Sequence, residues 1–369
     1  MPPATTDIVI NGRFLTQAVA GVQRFAIETV KAMDHCLDDP DCADLKGHVE
    51  LQAPRSGRDF PLRNIRLNRC GFTSGYLWEQ IELPIRAIGK VQLNLCMLGS
   101  VLKRRQIIVV HDTSTKAFPE GFSRAFVAAY DLIIPNAARN ADLVVSVSDF
   151  SRREMQKYYG LDASRIPICY EGSDHIKAHP ADDAILDRLH LRDRPYFLGV
   201  GIHAYNKNLA GTFAALQRAQ LKDAVLVATG RRRADIHGTL PPISDEKLID
   251  TGHITDGELR ALYEHALALV YPSTYEGFGL PPLEAMQCGC PAIVSDHDVL
   301  VEIGGDATLR CGVNDIDGLA AAMKAVYGDP VLRANLKEKG LAHAQRFTWD
   351  KTARILLDLC RQVAARNAR

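Results

Sequence analysis

Leu267-Ala268-Leu269-Val270-Tyr271-Pro272-Ser273-Thr274-Tyr275-Glu276-Gly277-Phe278-Gly279-Leu280-Pro281-Pro282-Leu283-Glu284-Ala285-Met286 decides the architecture of this chain. Its opening run, up to Tyr271, is continuously apolar, the pattern of a strand buried on both faces of a parallel sheet. Pro281 and Pro282 fit the first turn of a helix. The stretch therefore reads as strand, glycine-bearing loop, helix. Glu276 falls in the loop and Glu284 about one turn into the helix, with seven residues between them. A helix start carries unpaired backbone N–H groups and a partial positive charge, which suits a phosphate. Gly277 and Gly279 let the backbone come close to it.

The same rhythm extends in both directions. Apolar runs at 7–10, 106–110, 142–147, 196–200, 224–228 and 291–294 read as further strands. Helical patterns separate them, for example at 23–33, 208–217 and 259–265. Alternating strand and helix means an α/β fold with right-handed crossovers. The rhythm pauses between about 160 and 195, where Pro167, Gly172-Ser173-Asp174, Pro180 and Ala181-Asp182-Asp183 fall. A domain boundary is expected there. Each half is then a doubly wound unit with its ligands at the carboxyl ends of the strands. Two such units facing each other make one cleft.

Composition narrows the function. The 369 residues carry 44 basic and 44 acidic side chains, so a global polycation that binds nucleic acid loses its main support. The nine cysteines are scattered, without a Cys-x-x-Cys pair, which points to buried thiols in a reducing compartment. No apolar run approaches membrane-spanning length, and residues 1–13 lack a signal peptide's apolar stretch. A cytoplasmic location is expected. One local asymmetry remains: residues 52–105 hold ten Lys/Arg, including Arg63, Arg66, Arg69 and Lys103-Arg104-Arg105, against three acids. Such a stretch reads either as a solvated surface or as a patch facing anionic lipid or a phosphorylated acceptor.

The Glu276-to-Glu284 string resembles the Glu-x7-Glu signature of the retaining, two-Rossmann (GT-B) glycosyltransferases of family 4. Further similarities follow in order along the chain. Asn11-Gly12-Arg13 to Gly21-Val22-Gln23-Arg24-Phe25 resembles the family's glycine loop and following helix. His111-Asp112 resembles its active-site histidine, and Val147-Ser148-Asp149-Phe150-Ser151 its Val-Ser-x-Phe-Ser element. Gly199-Val200-Gly201 to Lys207-Asn208 is similar to its phosphate-binding element, and Val301-Glu302-Ile303-Gly304-Gly305-Asp306-Ala307 to its Pro-Glu-Val-x-Gly-Asp-Ala segment. The resemblance implies two Rossmann-like domains facing each other across a cleft. Residues 1–174 would bind the acceptor and 175–355 a nucleotide-sugar donor. The terminal helix, residues 356–369 in particular, is a candidate to cross back to the first domain.

The resemblance also implies roles. Glu284 would bond the ribose hydroxyls, and Glu276 would contact the donor sugar. The amides of Gly277, Phe278, Gly279 and Leu280 would serve the sugar and distal phosphate. Lys207 would neutralise the departing diphosphate, where cleaving a glycosyl–phosphate bond builds negative charge. Gly21 and Val22 would offer amides to the same diphosphate, and His111 would line the reaction centre. Many relatives carry an arginine between the residues matching Gly201 and Lys207. Here Ile202-His203-Ala204-Tyr205-Asn206 has none, and Arg231, Arg232 or Arg233 is the candidate replacement.

No metal or other cofactor is expected. The Asp-x-Asp pairs at Asp39 and Asp41, Asp296 and Asp298, and Asp315 and Asp317 do not follow strands at metal-binding depth. Cys288-Gly289-Cys290 reads as a helix end plus turn. Neither a Walker A loop nor Gly-x-Gly-x-x-Gly occurs, so kinase and dehydrogenase readings lack their fingerprints. The expected activity is retaining transfer of a sugar, with GDP-mannose as first candidate donor, to a glycan or lipid-linked acceptor at the inner face of a membrane. The alternatives are a nucleotide-sugar epimerase of the same architecture and a catalytically silent binding subunit.

Overall fold

The computed structural model describes residues 6–201, 205–230 and 245–366. The chain divides into two compact units. The first comprises Met1–Pro119, Arg124–Gly172 and Thr348–Arg369; the second comprises Glu120–Ser123 and Ser173–Phe347.

The first unit is built on β1 (Ile8–Asn11), β2 (Val49–Pro54), β3 (Arg66–Cys70), β4 (Val91–Asn94), β5 (Gln106–Val110) and β6 (Leu143–Ser146). They pair in the order β3-β2-β1-β4-β5-β6, every pair parallel. Ile8 sits in register with Val49 on one side and Val91 on the other. The second unit holds β7 (Tyr196–Val200), β8 (Val225–Thr229), β9 (Leu248–Gly252), β10 (Ala268–Tyr271), β11 (Ala292–Ser295) and β12 (Thr308–Cys311). Its order, β12-β11-β10-β7-β8-β9, is the same winding read from the other edge. In each sheet the strand order reverses beside the first strand, between β1 and β4 and between β7 and β10. This is the point where doubly wound sheets open a crevice beyond the strand ends.

The apolar runs at 106–110, 196–200 and 268–271 are strands whose side chains are buried almost throughout. Strands β2 and β4 escape an apolar-run reading because polar side chains are buried in them. Asn94 Nδ2 donates to Gln106 Oε1 at 3.0 Å, Gln92 Nε2 to Ser100 Oγ at 2.9 Å, and Asn11 Nδ2 to Asn94 Oδ1 at 3.0 Å. Most buried polar groups of this kind are paired. The chain leaves the second unit after Phe347, and the whole helix Trp349–Arg366 belongs to the first. It buries Trp349, Leu356, Leu357, Cys360 and Val363, packs along the helix Gly21–Cys36, and is pinned by Arg361 to Asp44 at 2.6 Å.

Two of the basic residues do not share one face. Arg66 and Arg69 lie on β3, where an odd separation sends them to opposite sides of the sheet. Arg69 pairs with Asp59 at 2.5 Å, Arg63 approaches Asp38 at 3.8 Å, and Lys90 pairs with Glu50 at 2.6 Å.

Candidate functional site

Lys207 and Glu276 meet because each follows a strand that flanks the reversal point of the second sheet. After β7 the chain turns at Gly201, whose φ of +65° is the left-handed region. Asn208 takes the same region at φ +55° and caps the helix Leu209–Ala219, its Oδ1 accepting from Gly211 N at 3.1 Å. Asn206 then ties this loop to the one after β10: its carbonyl accepts from Thr274 N at 2.8 Å, and its Nδ2 donates to Tyr275 O at 2.8 Å. With both loops fixed, Lys207 Nζ donates to the Glu276 carboxylate and to the Tyr271 hydroxyl, and rests 4.5 Å from the Tyr271 ring centroid. The Lys207 and Glu276 side chains are only 16% and 11% exposed. Burial, then the neighbouring Glu276 charge, holds the Tyr271 phenol well above its ordinary range, so it stays protonated. The arrangement is a mostly buried ion pair at the end of two strands.

Beyond Glu276, Gly279 adopts φ +103°, and a Cβ there would meet Leu300 Cδ2 at 2.7 Å. The helix Leu280–Gln287 starts with Pro281 and Pro282 in its first turn. Prolines have no N–H, so this helix start offers the amides of Gly279 and Leu280 rather than a full set of four. Phe278 turns its side chain into the core against Phe347. Glu284 is buried, with Oε1 3.0 Å from His175 Nε2 and Oε2 accepting from the Tyr263 hydroxyl at 3.0 Å.

In the first unit, Gly21 and Val22 open the helix Gly21–Cys36 after an uncapped Ala20. A Cβ on Gly21 would meet nothing within 4 Å, so packing does not demand a glycine there. His111 is buried edge-on to Phe25, its Nε2 2.8 Å from Leu95 O and its Nδ1 3.2 Å from Glu171 Oε1. A carbonyl only accepts, so Nε2 carries a hydrogen. Ser148 accepts from Ser151 N at 3.0 Å to cap the helix Asp149–Tyr159, and Ser151 Oγ donates to His111 O at 2.7 Å. The Val-Ser-x-Phe-Ser element thus supports the histidine loop.

Arg231, Arg232 and Arg233 lie outside the described residues. The acidic pairs have local work: Asp315 accepts from Gly318 N at 2.8 Å, and Asp296 from Val313 N at 2.9 Å. No group of three or more metal-ligating side chains gathers among the described residues.

Residues 187–343 match the family model described as glycosyl transferases group 1. O-antigen chain mannosyltransferase B of Escherichia coli is 32% identical over 256 residues, covering 67% of this chain and 67% of that enzyme. The chain belongs to glycosyl transferases group 1. A second relative in this glycosyltransferase family is the O-antigen chain mannosyltransferase RfbU of Salmonella typhimurium, 28% identical over 61% of this chain and 62% of its own. Among solved structures, Anabaena Alr3699/HepE in complex with UDP and glucose superposes with a TM-score of 0.71 at 16% identity, covering 96% of this chain and 99% of its own. The two six-stranded parallel sheets of this glycosyltransferase are those of the GT-B fold.

Sequence reasoning passed over His175, Tyr263, Tyr271, Asn206 and Glu171. His175 and Glu171 lie in the segment where the strand–helix rhythm pauses, and single residues there carry no spacing signal. The tyrosines sit in apolar patterns and read as core.

Proposed function

We propose that this glycosyltransferase moves mannose from GDP-mannose to a hydroxyl of a lipid-linked glycan, with retention at the anomeric carbon and without a metal ion. The observation that carries the reading is the Lys207–Glu276 pair at the reversal point of the second sheet, one helical turn and a loop from buried Glu284. The mannosyltransferase relatives support the sugar, and the UDP-bound GT-B neighbour supports a nucleotide-sugar donor.

A diphosphate entering beside Lys207 takes the ammonium from Glu276, and Glu276 turns its freed lone pairs to the donor sugar's hydroxyls. The amides of Gly277 to Leu280 support the distal phosphate and the sugar. As the bond from the anomeric carbon to the phosphate oxygen breaks, charge grows on that oxygen and Lys207 stabilises it. The acceptor hydroxyl attacks the same face, and its proton passes to the leaving phosphate oxygen. The acceptor belongs to the first unit, where His111 Nε2 exchanges the Leu95 carbonyl for a substrate hydroxyl. No relative described above is an epimerase, and a silent subunit would not need Lys207 and Glu276 held in one pair.

Contact with an anionic membrane at the cytoplasmic face completes the proposal. Its support is a helical stretch over residues 75–86 rather than the basic run. Residues 78–82 widen into a π turn. Leu77, Ile81, Ile85 and Ile88, just past the helix, are 60, 53, 61 and 73% exposed, a near-continuous apolar stripe at helical spacing. Phe72 stands at its start with the Arg55 guanidinium 4.9 Å from its ring, and exposed Arg86 lies at its end. Apolar residues on one side of a helix with cations beside them suit the headgroup region.

A thermal-shift panel of nucleotides and nucleotide-sugars tests the donor. GDP-mannose at 100 times its dissociation constant adds about 2.7 kcal/mol to stability. A shift with UDP-sugars and none with GDP-mannose overturns the choice of donor; no shift with any nucleotide-sugar overturns the reading.

A further inference from the structure

Three separate elements of the second unit converge on one carboxylate. His175 comes from the short turn Asp174–Ala178, Tyr263 from the helix Asp256–His265, and Glu284 from the helix Leu280–Gln287. His175 Nε2 lies 3.0 Å from Glu284 Oε1, and the Tyr263 hydroxyl donates to Oε2 at 3.0 Å. Their exposures are 5, 0 and 6%. The same helix is anchored one turn further by Gln287, whose Nε2 donates to Ser173 Oγ and to Ala344 O, each at 3.2 Å. Burial, then the Glu284 charge, keeps the Tyr263 phenol far above its ordinary range, so it remains an O–H donor.

Burying three polar side chains at one junction is costly unless every bond is made, and apolar side chains of similar size would pack it at less cost. An arrangement retained at such cost fixes geometry. A carboxylate offers about four lone-pair sites over its two oxygens. The histidine and the tyrosine each take one, on different oxygens. Each oxygen keeps capacity for one further donor.

We propose that His175 and Tyr263 are positioning residues that lock the Glu284 carboxylate in the one orientation able to accept both ribose hydroxyls of the donor nucleotide. Neither touches the nucleotide. The proposal rests on the reading of Glu284 as the ribose ligand.

The test is calorimetric titration of the full chain with GDP and UDP, each against its 2′,3′-dideoxy counterpart. Wild type prefers the ribose form, and Glu284→Ala loses that preference. His175→Ala and Tyr263→Phe are expected to cut the preference about tenfold or more while leaving dideoxy affinity unchanged. His175→Gln, which keeps an N–H donor, retains most of it. A merely structural role weakens ribose and dideoxy forms by the same factor, and that result overturns the proposal. Should His175→Ala fail to fold, Tyr263→Phe removes a single oxygen without changing packing and decides alone. If Glu284→Ala keeps the wild-type preference, or if no nucleotide binds wild type, the ribose reading falls and the clamp with it. If Glu284→Ala loses the preference and both partner variants keep it, only the clamp falls.

Discussion

The Lys207 ammonium rests on the Glu276 carboxylate, shared with the Tyr271 hydroxyl, at the one place in the second sheet where neighbouring strands run their connections in opposite directions. The pair gives the ligand-free protein a neutral site that can present either charge once a ligand separates it. On the proposed reading Lys207 is a cation held in reserve for a leaving diphosphate, which serves the chemical step more than one that only binds.

Lys207→Ala is therefore expected to weaken binding of nucleoside diphosphate about ten- to a hundredfold, the worth of a charged hydrogen bond of ~1.5–3 kcal/mol, with little change for the nucleoside. Turnover falls further than binding. Titrations with GDP and guanosine check this, and an equal loss for both removes Lys207 from the diphosphate.

A second ion pair is structural. Glu79, fully buried in the π turn, sits with Oε2 3.0 Å from Arg13 Nε and Oε1 accepting from Asn11 Nδ2 at 2.6 Å. Glu79→Ala strands the Arg13 charge and is expected to cost about 3–5 kcal/mol in urea unfolding. Desolvation, opposed by Arg13, raises the Glu79 carboxyl above its ordinary range. A raised folded value means a contribution present below the ordinary range and lost as pH climbs through the folded value. Glu79→Gln flattens that part of the stability–pH curve; an unchanged curve contradicts the assignment.

The apolar stripe makes its own prediction. Leu77→Gln, Ile81→Gln and Ile85→Gln together remove side chains worth ~1.5–3 kcal/mol each when buried, so co-sedimentation with anionic liposomes should fall more than tenfold. Changing Arg63, Arg66 and Arg69 to Gln should matter far less, because Arg66 and Arg69 lie on opposite sides of β3. The reverse ranking would restore the basic run as the docking element.

Much of this was legible from spacing. The apolar runs that became β5, β7 and β10 announced alternating strand and helix, and the glycine loop put Glu276 just beyond a strand; the reversal point emerges only from the strand order. What stayed hidden was decided by tertiary burial of polar groups. Asn94 and the Gln92 amide nitrogen lie inside a sheet because a side-chain network pairs them, and no local pattern announces that. His175 reads alone as an ordinary loop histidine; only the fold brings it to Glu284. Arg63, Arg66 and Arg69 recur every three residues, a helical rhythm, yet the backbone there is strand β3 from Arg66 onward. The two prolines after Gly279 were visible, and they limit the amides that the helix start offers.

The most direct measurement is transfer of label from GDP-mannose, in excess EDTA, with and without a lipid-linked glycan acceptor, for wild type, Lys207→Ala and Glu276→Gln. The account predicts labelled glycan with the same anomeric configuration as the donor, formed only with acceptor and lost or nearly lost in both variants. Transfer that needs added magnesium or manganese, product of inverted configuration, or full activity in either variant would contradict it.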